Sequence, residues 1–472
     1  MIMRSKQSVI LLEFNELCPS LMGQFIQQGK LPNFQRFYNE SAVYTTDAEE
    51  QPPNLEPWIQ WVTVHTGQPY EKHQIFFLDD GHKLKFPSIW DTVSAAGLRV
   101  WVCGSMNARY DMPLNGAFLP DYWTTRQTPY PKQEFQAFFN FVKRQVQEHT
   151  NDSASLNWQE YWQFLTFMAT HGLSGATIGA IAQQLLKEKQ TGKYRWQRAT
   201  ILDRLQWDVF RWYYRKIQPQ FSTFFINSTA HFQHLHWRNM ESSRFQVQPT
   251  AQEQAEYETA ILGGYQAMDR LIGEALALAD DQTTVMLCTA LSQQPCFTYE
   301  ATGGKRLYRP RRFEEVLTFA GITGSYECSP VMAEEFFLRF DRESDAWAAE
   351  QQLAALQVDQ QPVMRLKRQG NEIYIGCGIF DQLPTQAVLQ RFDSKGDRAS
   401  DPIATLPFFD LFYQIEDIKS GMHHPDGIFW VRHPTLNHTV HPDKISLQAI
   451  APIILNLLDV PTAIPDEVHQ WV

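Results

Sequence analysis

The stretch "SVILLEFNELCPSLMGQFIQQGK" (Ser8–Lys30) decides the fold. Its first seven residues, Ser8–Phe14, form a short apolar run rich in β-forming residues, which predicts a parallel strand buried on both faces. The polar loop "NELCPS" follows, and then "LMGQFIQQGK", which predicts a helix that ends near Gly29. A buried strand that leads through a loop into a helix is the repeating unit of α/β proteins.

Three further apolar runs have the same character as the first. They are "LRVWVCG" (Leu98–Gly104), "STFFIN" (Ser222–Asn227) and "TTVMLC" (Thr283–Cys288), and the helix-like "IWDTVSAAG" precedes the first of them. Strands that alternate with helices predict an α/β fold with a doubly wound, mostly parallel sheet and helices on both faces. Ligands of such sheets bind beyond the carboxyl ends of the strands, so the residues that follow each strand are the candidates for a site.

Two regions interrupt this alternation. Residues 129–215 are aromatic, Gln-rich and helical in pattern, which predicts a helical cap insertion. Residues 327–390 mix helix-like "DAWAAEQQLAAL" with strand-like "VMRLKRQ" and "NEIYIGCGIF", which predicts a small α+β insertion. The remaining segments, 1–128, 216–326 and 391–472, are then expected to form the α/β core.

Composition excludes several classes of protein. The formal net charge of −11 over 472 residues argues against nucleic acid as a partner, because phosphate contacts need a basic face. No stretch approaches the ~18 apolar residues of a membrane-spanning helix. The apolar run of "MIMRSKQSVILLEF" is shorter than the ~7–15 residues of a signal-peptide core. The six cysteines lack metal-site spacing, which fits a reducing cytoplasm, and the oligomeric state is left open.

Five separated segments resemble one superfamily. "LLEFNELCPSLMGQFIQQGKLPNFQRF" (Leu11–Phe37), "HTGQPYEKHQI" (His65–Ile75), Ile89–Asp121, "GMHHPDGIFW" (Gly421–Trp430) and "KISLQAIAPIILNLLDVP" (Lys444–Pro461) occur in the order of the corresponding family blocks. The chain thus resembles the alkaline phosphatase superfamily, in particular its type I phosphodiesterase and nucleotide pyrophosphatase branch, which also relates it to the sulfatases. The resemblance covers most of the chain outside the two insertions.

The resemblance implies a hydrolase with two divalent cations, usually zinc, and a Thr or Ser nucleophile. In the family, one metal is held by an Asp-x-x-x-His motif after a strand and by a late histidine. The other is held by an aspartate after the first strand, by the nucleophile and by an Asp-His pair. Anionic ligands are needed because two neighbouring dications repel each other strongly.

The positions that match the second metal set have lost their ligands in this chain. Asn15 stands where the first aspartate is expected, and Pro57 where the nucleophile is expected. The Asp-His pair is replaced by Ala290 and Leu291 in "TALSQQP". Ordinary two-metal hydrolysis is therefore not expected, and the active site is interpreted as degenerate or remodelled.

The positions that match the first metal set are partly kept. "AHFQH" has Ala230 in place of the aspartate but retains His234, and His423 matches the late histidine. Two histidines are one short of the three protein ligands usual for catalytic zinc. We favour Glu56 as the third ligand, because it belongs to the loop that faces the metals in the family; the alternatives are Glu13, His231 and His236.

Polar residues at the strand ends suggest roles in catalysis. Glu56 or Glu13 is the expected general base. The remaining candidates are Asn15, Asn227 and Thr289, which would orient the substrate, and His231. Alternatively, His234 and His423 are hydrogen-bonded polar remnants, and Glu56 is a loop carboxylate that pairs with an arginine.

Three functional hypotheses follow from these residues. The first is an enzyme with a remodelled site, using one divalent metal (zinc by preference) or none, that acts on a phosphate, sulfate or other anionic small molecule. The second is a catalytically inactive member that binds a ligand or a protein partner through the old cleft. The third is an intact hydrolase whose two-metal ligands lie at positions other than those aligned above.

Overall fold

The computed structural model describes residues 7–110, 113–147, 158–332, 334–393, 401–415 and 418–461, so residues 1–6 of the signal-peptide prediction lie outside the described chain. The strands are β1 (Ser8–Phe14), β2 (Ala42–Asp47), β3 (Val100–Cys103), β4 (Gly116–Leu119), β5 (Phe221–Ile226), β6 (Thr283–Cys288), β7 (Ser292–Pro295), β8 (Tyr308–Pro310), β9 (Tyr326–Pro330), β10 (Phe336–Phe340), β11 (Leu356–Val358), β12 (Gln361–Pro362), β13 (Met364–Gln369), β14 (Glu372–Cys377), β15 (Val388–Arg391), β16 (Ala404–Pro407), β17 (Phe412–Gln414), β18 (Gly421–His424), β19 (Asp426–Arg432), β20 (Thr439–Val440) and β21 (Ile445–Ser446).

The helices complete the architecture. They are α1 (Pro19–Gln27), α2 (Pro32–Asn39), α3 (Pro57–Thr66), α4 (Tyr70–His73), α5 (Ile89–Ala95), α6 (Lys132–Gln147), α7 (Trp158–Thr170), α8 (Gly175–Thr191), α9 (Arg198–Ile217), α10 (Ser228–Met240), α11 (Ala251–Tyr257), α12 (Ala260–Leu278), α13 (Phe313–Ala320), α14 (Glu343–Ala354), α15 (Phe408–Leu411) and α16 (Ile450–Leu457). Proline is the first residue of α1, α2 and α3, where its missing N–H costs no hydrogen bond.

A nine-stranded sheet forms the centre of the fold. Its order is β4-β3-β5-β1-β6-β19-β2-β20, with β21 also paired to β2. All of these pairings are parallel except the two made by β19, which runs antiparallel to β6 and β2. The prediction of a mostly parallel α/β sheet is confirmed, and the four predicted strands correspond to β1, β3, β5 and β6.

The strand β1 lies in the middle of this sheet and is buried on both faces. Ile10, Leu12 and Phe14 pack into one hydrophobic core, and Val9 and Leu11 pack into the core on the opposite face. This alternation explains why the sequence of β1 is apolar throughout, as expected for a parallel strand covered by helices on both sides. The carboxyl ends of β1, β5 and β6 consequently meet at one edge, because the three strands are parallel neighbours.

The predicted helical insertion corresponds to helices α6–α9. Their aromatic side chains share a core with the central sheet: the ring of Trp101 in β3 lies 5.3 Å from that of Phe135 and 6.3 Å from that of Phe210, measured between centroids. The aromatic stripe noted in the sequence therefore packs into the core on one face of the sheet. The assignment of residues 129–215 as a separate cap stays a prediction.

The second predicted insertion contains strands β9–β14 and helix α14. These elements contribute to two four-stranded sheets, β13-β14-β10-β9 and β12-β11-β15-β16, which share a third hydrophobic core with α13 and α15. Buried Arg339 of β10 pairs with Glu372 at 2.9 Å and reaches Asp79 of the central α/β part at 2.7 Å. The bounds 327–390 stay a prediction.

Two further findings concern sequence predictions. No helix within the described ranges has both the length and the apolar composition to cross a bilayer. All six cysteines are free thiols.

Candidate functional site

Three potential metal ligands converge at the carboxyl edge of the central sheet. Glu16 is the second residue after β1, His234 lies on α10 just after β5, and His423 lies on β18. The Nε2 atoms of His234 and His423 lie 3.1 and 3.4 Å from Oε2 of Glu16, and the three ligand atoms lie within 4.8 Å of one another. Among the described residues this is the one group of at least three His, Cys, Asp or Glu side chains with such spacing.

The hydrogen bonds of the two imidazoles determine their tautomers. Nδ1 of His234 lies 3.2 Å from the carbonyl oxygen of Gly421, and Nδ1 of His423 lies 2.9 Å from that of Leu55. A carbonyl oxygen only accepts, so both Nδ1 atoms carry a proton and donate. In a neutral imidazole, Nε2 then carries an unprotonated lone pair. The Nε2 atoms of both histidines face the Glu16 carboxylate.

Oε2 of Glu16, the oxygen that both imidazoles face, already accepts a hydrogen bond. Nε2 of Gln293 donates to Oε2 of Glu16 at 2.5 Å and to the carbonyl oxygen of Ala230 at 2.9 Å. Two imidazole lone pairs facing this oxygen would each lack a donor among the described residues and would lie beside a negative charge. Extra protons or a cation between the three atoms would relieve this repulsion, and two imidazoles with one carboxylate form a suitable donor set for a divalent metal.

The ionised form of Glu16 is stabilised by positive charge at the two imidazoles, which either protons or a bound cation can supply. Burial raises the pKa of Glu16, but the charges of His423 and His234 and the hydrogen bonds from His234 and Gln293 outweigh it and lower the pKa to about 2. Burial lowers the pKa of His423 to about 3, although Glu16 acts in the opposite direction. An ionised carboxylate and a neutral imidazole are the forms that coordinate metals.

The loop after β1 fixes the position of Glu16. The backbone of Glu16 is left-handed, with φ 59°. This conformation directs the Glu16 side chain away from the path of the strand. Nδ2 of Asn15 donates to Oε1 of Glu16 at 2.8 Å, and Nε2 of Gln233 donates to the Glu16 carbonyl oxygen at 2.7 Å. The second carboxylate oxygen and the backbone are thus held in place, which leaves Oε2 facing the imidazoles.

A glycine allows β18 to approach α10 closely enough to form the group. A Cβ atom on Gly421 would lie 2.3 Å from the carbonyl oxygen of Gln233 and 2.7 Å from Oε1 of Gln293. The backbone N–H of Ser420 donates to the carbonyl oxygen of His234 at 2.7 Å, which fixes the start of β18 against the helix. His423 is then opposite Gln293 in the antiparallel pair of β18 with β7.

Glu56 lies on the other side of His423. Its Oε2 is 3.4 Å from Nδ1 of His423, the nitrogen that also donates to Leu55. Burial raises the pKa of Glu56 to about 8, and the charge of Lys419 acts against this rise. The sequence favours Glu56 as the third ligand, but Glu56 is absent from the group of three because it approaches Nδ1 of His423 instead of Nε2. Glu16 is the third member of the group.

Glu13 is buried away from this group, within β1. Its Oε1 lies 2.9 Å from Nε2 of His65 on α3, and its Oε2 has no hydrogen-bond partner among the described residues. The carboxylate is fully buried. The structure therefore places Glu13 in a buried pair with His65, and does not place it beside His234 and His423.

Asn15, Asn227 and Thr289, which were predicted to orient the substrate, make hydrogen bonds to other groups of the protein. Asn15 donates to Oδ1 of Asn227 at 2.7 Å, and its own Oδ1 accepts from the indole N–H of Trp61 at 2.8 Å. Both N–H donors of the Asn15 amide, and one acceptor site of its oxygen, are thus used in contacts with neighbouring residues. Thr289 is fully buried, and its Oγ1 accepts from the backbone N–H of Ile428 at 2.8 Å.

Two of the predicted histidines lie on α10 beside the group. His231 is one turn before His234, is partly buried, and is absent from the group of three. His236 is buried and stacks on Tyr257 with ring centroids 4.4 Å apart. Neither histidine supplies the third ligand in this arrangement.

The positions that match the family's second metal are apolar or fully hydrogen-bonded. Ala290 and Leu291 are buried in the hydrophobic core on one face of the sheet. Pro57 is the first residue of α3 and carries no hydroxyl. Together with Asn15, whose oxygen accepts from Trp61, they offer no anionic ligand at this point.

Sequence reasoning missed Glu16, Gln293 and Gln233. The resemblance directed attention to Asn15, where the family has its aspartate, and the carboxylate occurs one residue later. The polar pair "NE" directly after a buried strand was the available signal for Glu16. Gln293 and Gln233 carried no comparable signal, because glutamines are usually exposed.

Comparisons with known proteins give matches among solved structures. No protein-family model matches the chain, and no curated protein matches it. Murine ectonucleotide pyrophosphatase/phosphodiesterase 5 is 11% identical, with 97% of this chain and 96% of that chain covered and a TM-score of 0.41. Phosphonoacetate hydrolase from Sinorhizobium meliloti, in complex with phosphonoformate, is 11% identical, with 96% of each chain covered and a TM-score of 0.41.

The human ectonucleotide pyrophosphatase/phosphodiesterase 5 is similar at a comparable level. It is 12% identical, with 97% of this chain and 96% of that chain covered and a TM-score of 0.37. These neighbours include the nucleotide pyrophosphatase and phosphodiesterase group that the sequence motifs resemble. At this identity and TM-score the likeness assigns no activity to the present chain.

Proposed function

We propose that the chain is a hydrolase of anionic small-molecule esters that uses one divalent cation, held by Glu16, His234 and His423. The observation that carries this proposal is the convergence of two imidazole lone pairs on one carboxylate oxygen. The donor set of two histidines and one carboxylate favours zinc, with three protein ligands and an open position.

Each ligand has the supporting contacts typical of a metal site. The imidazoles donate their second N–H to the carbonyl oxygens of Gly421 and Leu55, and Glu16 accepts from Asn15 and Gln293. Such contacts fix ring orientation and ligand geometry. The partial exposure of His234 and His423 leaves the group accessible from solvent.

The chain's own residues suggest how hydrolysis would proceed. When bound, the cation would supply Lewis acidity towards an oxygen of the scissile phosphoryl or sulfuryl group. Glu56, partly exposed beside His423, would accept a proton from the attacking water in its ionised form, while the water oxygen bonds to phosphorus or sulfur. With a pKa of about 8 for Glu56, this ionised form becomes dominant as the pH rises through about 8. The ester bond then breaks, and Glu56 returns the proton to the leaving oxygen.

A single-metal site also accounts for the altered family positions. With Ala290 and Leu291 in the hydrophobic core and no hydroxyl at Pro57, direct attack by water replaces the covalent route that a Thr or Ser nucleophile would provide. Asn15, in this account, holds Glu16 and Asn227 in position and does not bind metal.

A screen of chromogenic esters tests the proposed activity. The zinc-loaded chain is incubated with p-nitrophenyl phosphate, bis-p-nitrophenyl phosphate and p-nitrophenyl sulfate, and release of p-nitrophenol is measured. We expect turnover of at least one ester, its loss with a chelator, and its recovery when zinc is returned. Zinc binding with inhibition by phosphate or sulfate but no turnover would instead support the alternative, a ligand-binding protein without catalysis.

A further inference from the structure

Two lysines project from one face beside the candidate site. Lys305 and Lys419 form an isolated antiparallel bridge, in which the backbone N–H of Lys419 donates to the carbonyl oxygen of Lys305 at 3.0 Å. Residues directly opposite each other in an antiparallel pair have side chains on the same side. The two ammonium groups therefore extend from neighbouring positions in the same direction.

Neither ammonium group is neutralised by a carboxylate within 4 Å in the described part of the chain. Nζ of Lys305 lies 4.3 Å from the centroid of Phe380 and 5.5 Å from that of Tyr299. Two nearby carboxylates, Glu334 and Glu335, have a different partner, Arg365, at 3.0 and 3.5 Å. Both lysines are only partly exposed, so their charges are less well solvated than those of surface lysines.

The lysine pair is adjacent to the proposed catalytic group. Lys419 precedes Ser420, whose N–H donates to the backbone of His234, and the strand continues to His423. The charges of Lys419 and Lys305 both act on the Glu56 carboxyl. The charge of Lys419 also acts on the ring of His423.

From this arrangement we infer that Lys305 and Lys419 bind a second anionic group of the substrate. The substrate class is then a small molecule that carries a carboxylate, phosphate or sulfate close to the group that is cleaved. Ammonium groups act as compact point charges, so the pair selects for negative charge and less for the shape of the anion. This inference rests on the proposed function, since it names the substrate class of that same site.

A matched pair of probes isolates the second anionic group. Methylphosphonate and phosphonoacetate share the phosphonate, but only phosphonoacetate carries an additional carboxylate. Binding of each to the zinc-loaded full chain is measured by isothermal titration calorimetry. Because a charge-assisted hydrogen bond contributes about 1.5–3 kcal/mol, we expect phosphonoacetate to bind at least about tenfold more tightly.

Variants of Lys305 and Lys419 test whether these two lysines cause the preference for phosphonoacetate over methylphosphonate. In a K305M/K419M double variant that still binds zinc, the ratio of the two affinities is expected to fall to about one, with phosphonoacetate losing much more affinity than methylphosphonate. A K305R/K419R variant, which keeps both charges, should retain the preference. The control is K30M/K189M, in which two exposed lysines of other surfaces are replaced and no change is expected.

The outcomes separate the two proposals. Equal affinities of the two probes in the unaltered chain, or a preference that survives K305M/K419M, would overturn the inference and leave the metal hydrolase intact. A zinc-loaded chain that binds neither probe would overturn both. Absence of zinc binding would overturn the proposed function, and the inference with it.

Discussion

Replacement of Glu56 by glutamine is expected to lower kcat for the best ester substrate by about 10²–10⁴-fold, the usual contribution of a general base. Nδ1 of His423 donates to the carbonyl oxygen of Leu55 at 2.9 Å, and the Glu56 carboxyl only lies beside it at 3.4 Å, so glutamine leaves that hydrogen bond intact. The orientation of His423 is therefore preserved, and only the capacity to accept a proton is lost. Steady-state kinetics and zinc content of the same preparation are measured together.

The two measurements distinguish catalysis from support of the ligand. If Glu56 acts only through its negative charge beside the His423 imidazole, the E56Q variant should lose about 10–100-fold in metal affinity, and kcat per bound zinc should stay near the original value. If Glu56 is the base, zinc content stays constant and kcat falls. The exposed Glu71 provides a matched control, since E71Q changes the same charge elsewhere and should alter neither quantity.

Replacement of Glu16 by glutamine is expected to weaken zinc affinity by at least about 100-fold, more than the loss of an outer-shell contact. The change removes the only anionic ligand of the group of three and leaves the shape of the side chain almost unchanged. The new amide can donate to one of the imidazole lone pairs, but its NH2 group then no longer accepts the hydrogen bond from Gln293, so one hydrogen bond replaces another in the metal-free fold. Zinc affinity is measured by competition with a chromogenic chelator.

Thermal unfolding of the metal-free proteins provides the control for E16Q. We expect the melting temperature of metal-free E16Q to stay close to that of the metal-free original chain. A strong decrease in melting temperature, with zinc affinity unchanged, would show that Glu16 acts as the partner of a protonated histidine pair. The group would then be a structural ion pair and not a metal site.

Much of the fold could be predicted from local sequence. The apolar runs that became β1, β3, β5 and β6 are buried on both faces, so each reads as a strand without knowledge of its neighbours. The antiparallel strand β19 pairs with β2 and β6, which lie far away along the chain, so a single-sequence pattern does not specify its place in the sheet.

The candidate site was predictable only in part, and for a related reason. His234 and His423 were selected because they match positions in a resembling superfamily, and the structure places their Nε2 atoms around one oxygen. Glu16 reaches that oxygen position through a left-handed backbone at φ 59°, which no periodic pattern predicts for a glutamate. Glu13 faces the opposite way on β1 and finds its partner, His65, 52 residues later.

The measurement that tests the central claim most directly is the metal content of the purified chain by elemental analysis, beside a variant with both His234→Ala and His423→Ala. The account predicts about one zinc per chain in the original protein, and loss of that zinc in the folded double variant, because two of three ligands are removed. An original chain that binds no divalent metal even when zinc is supplied, or a double variant that retains it, would contradict the account.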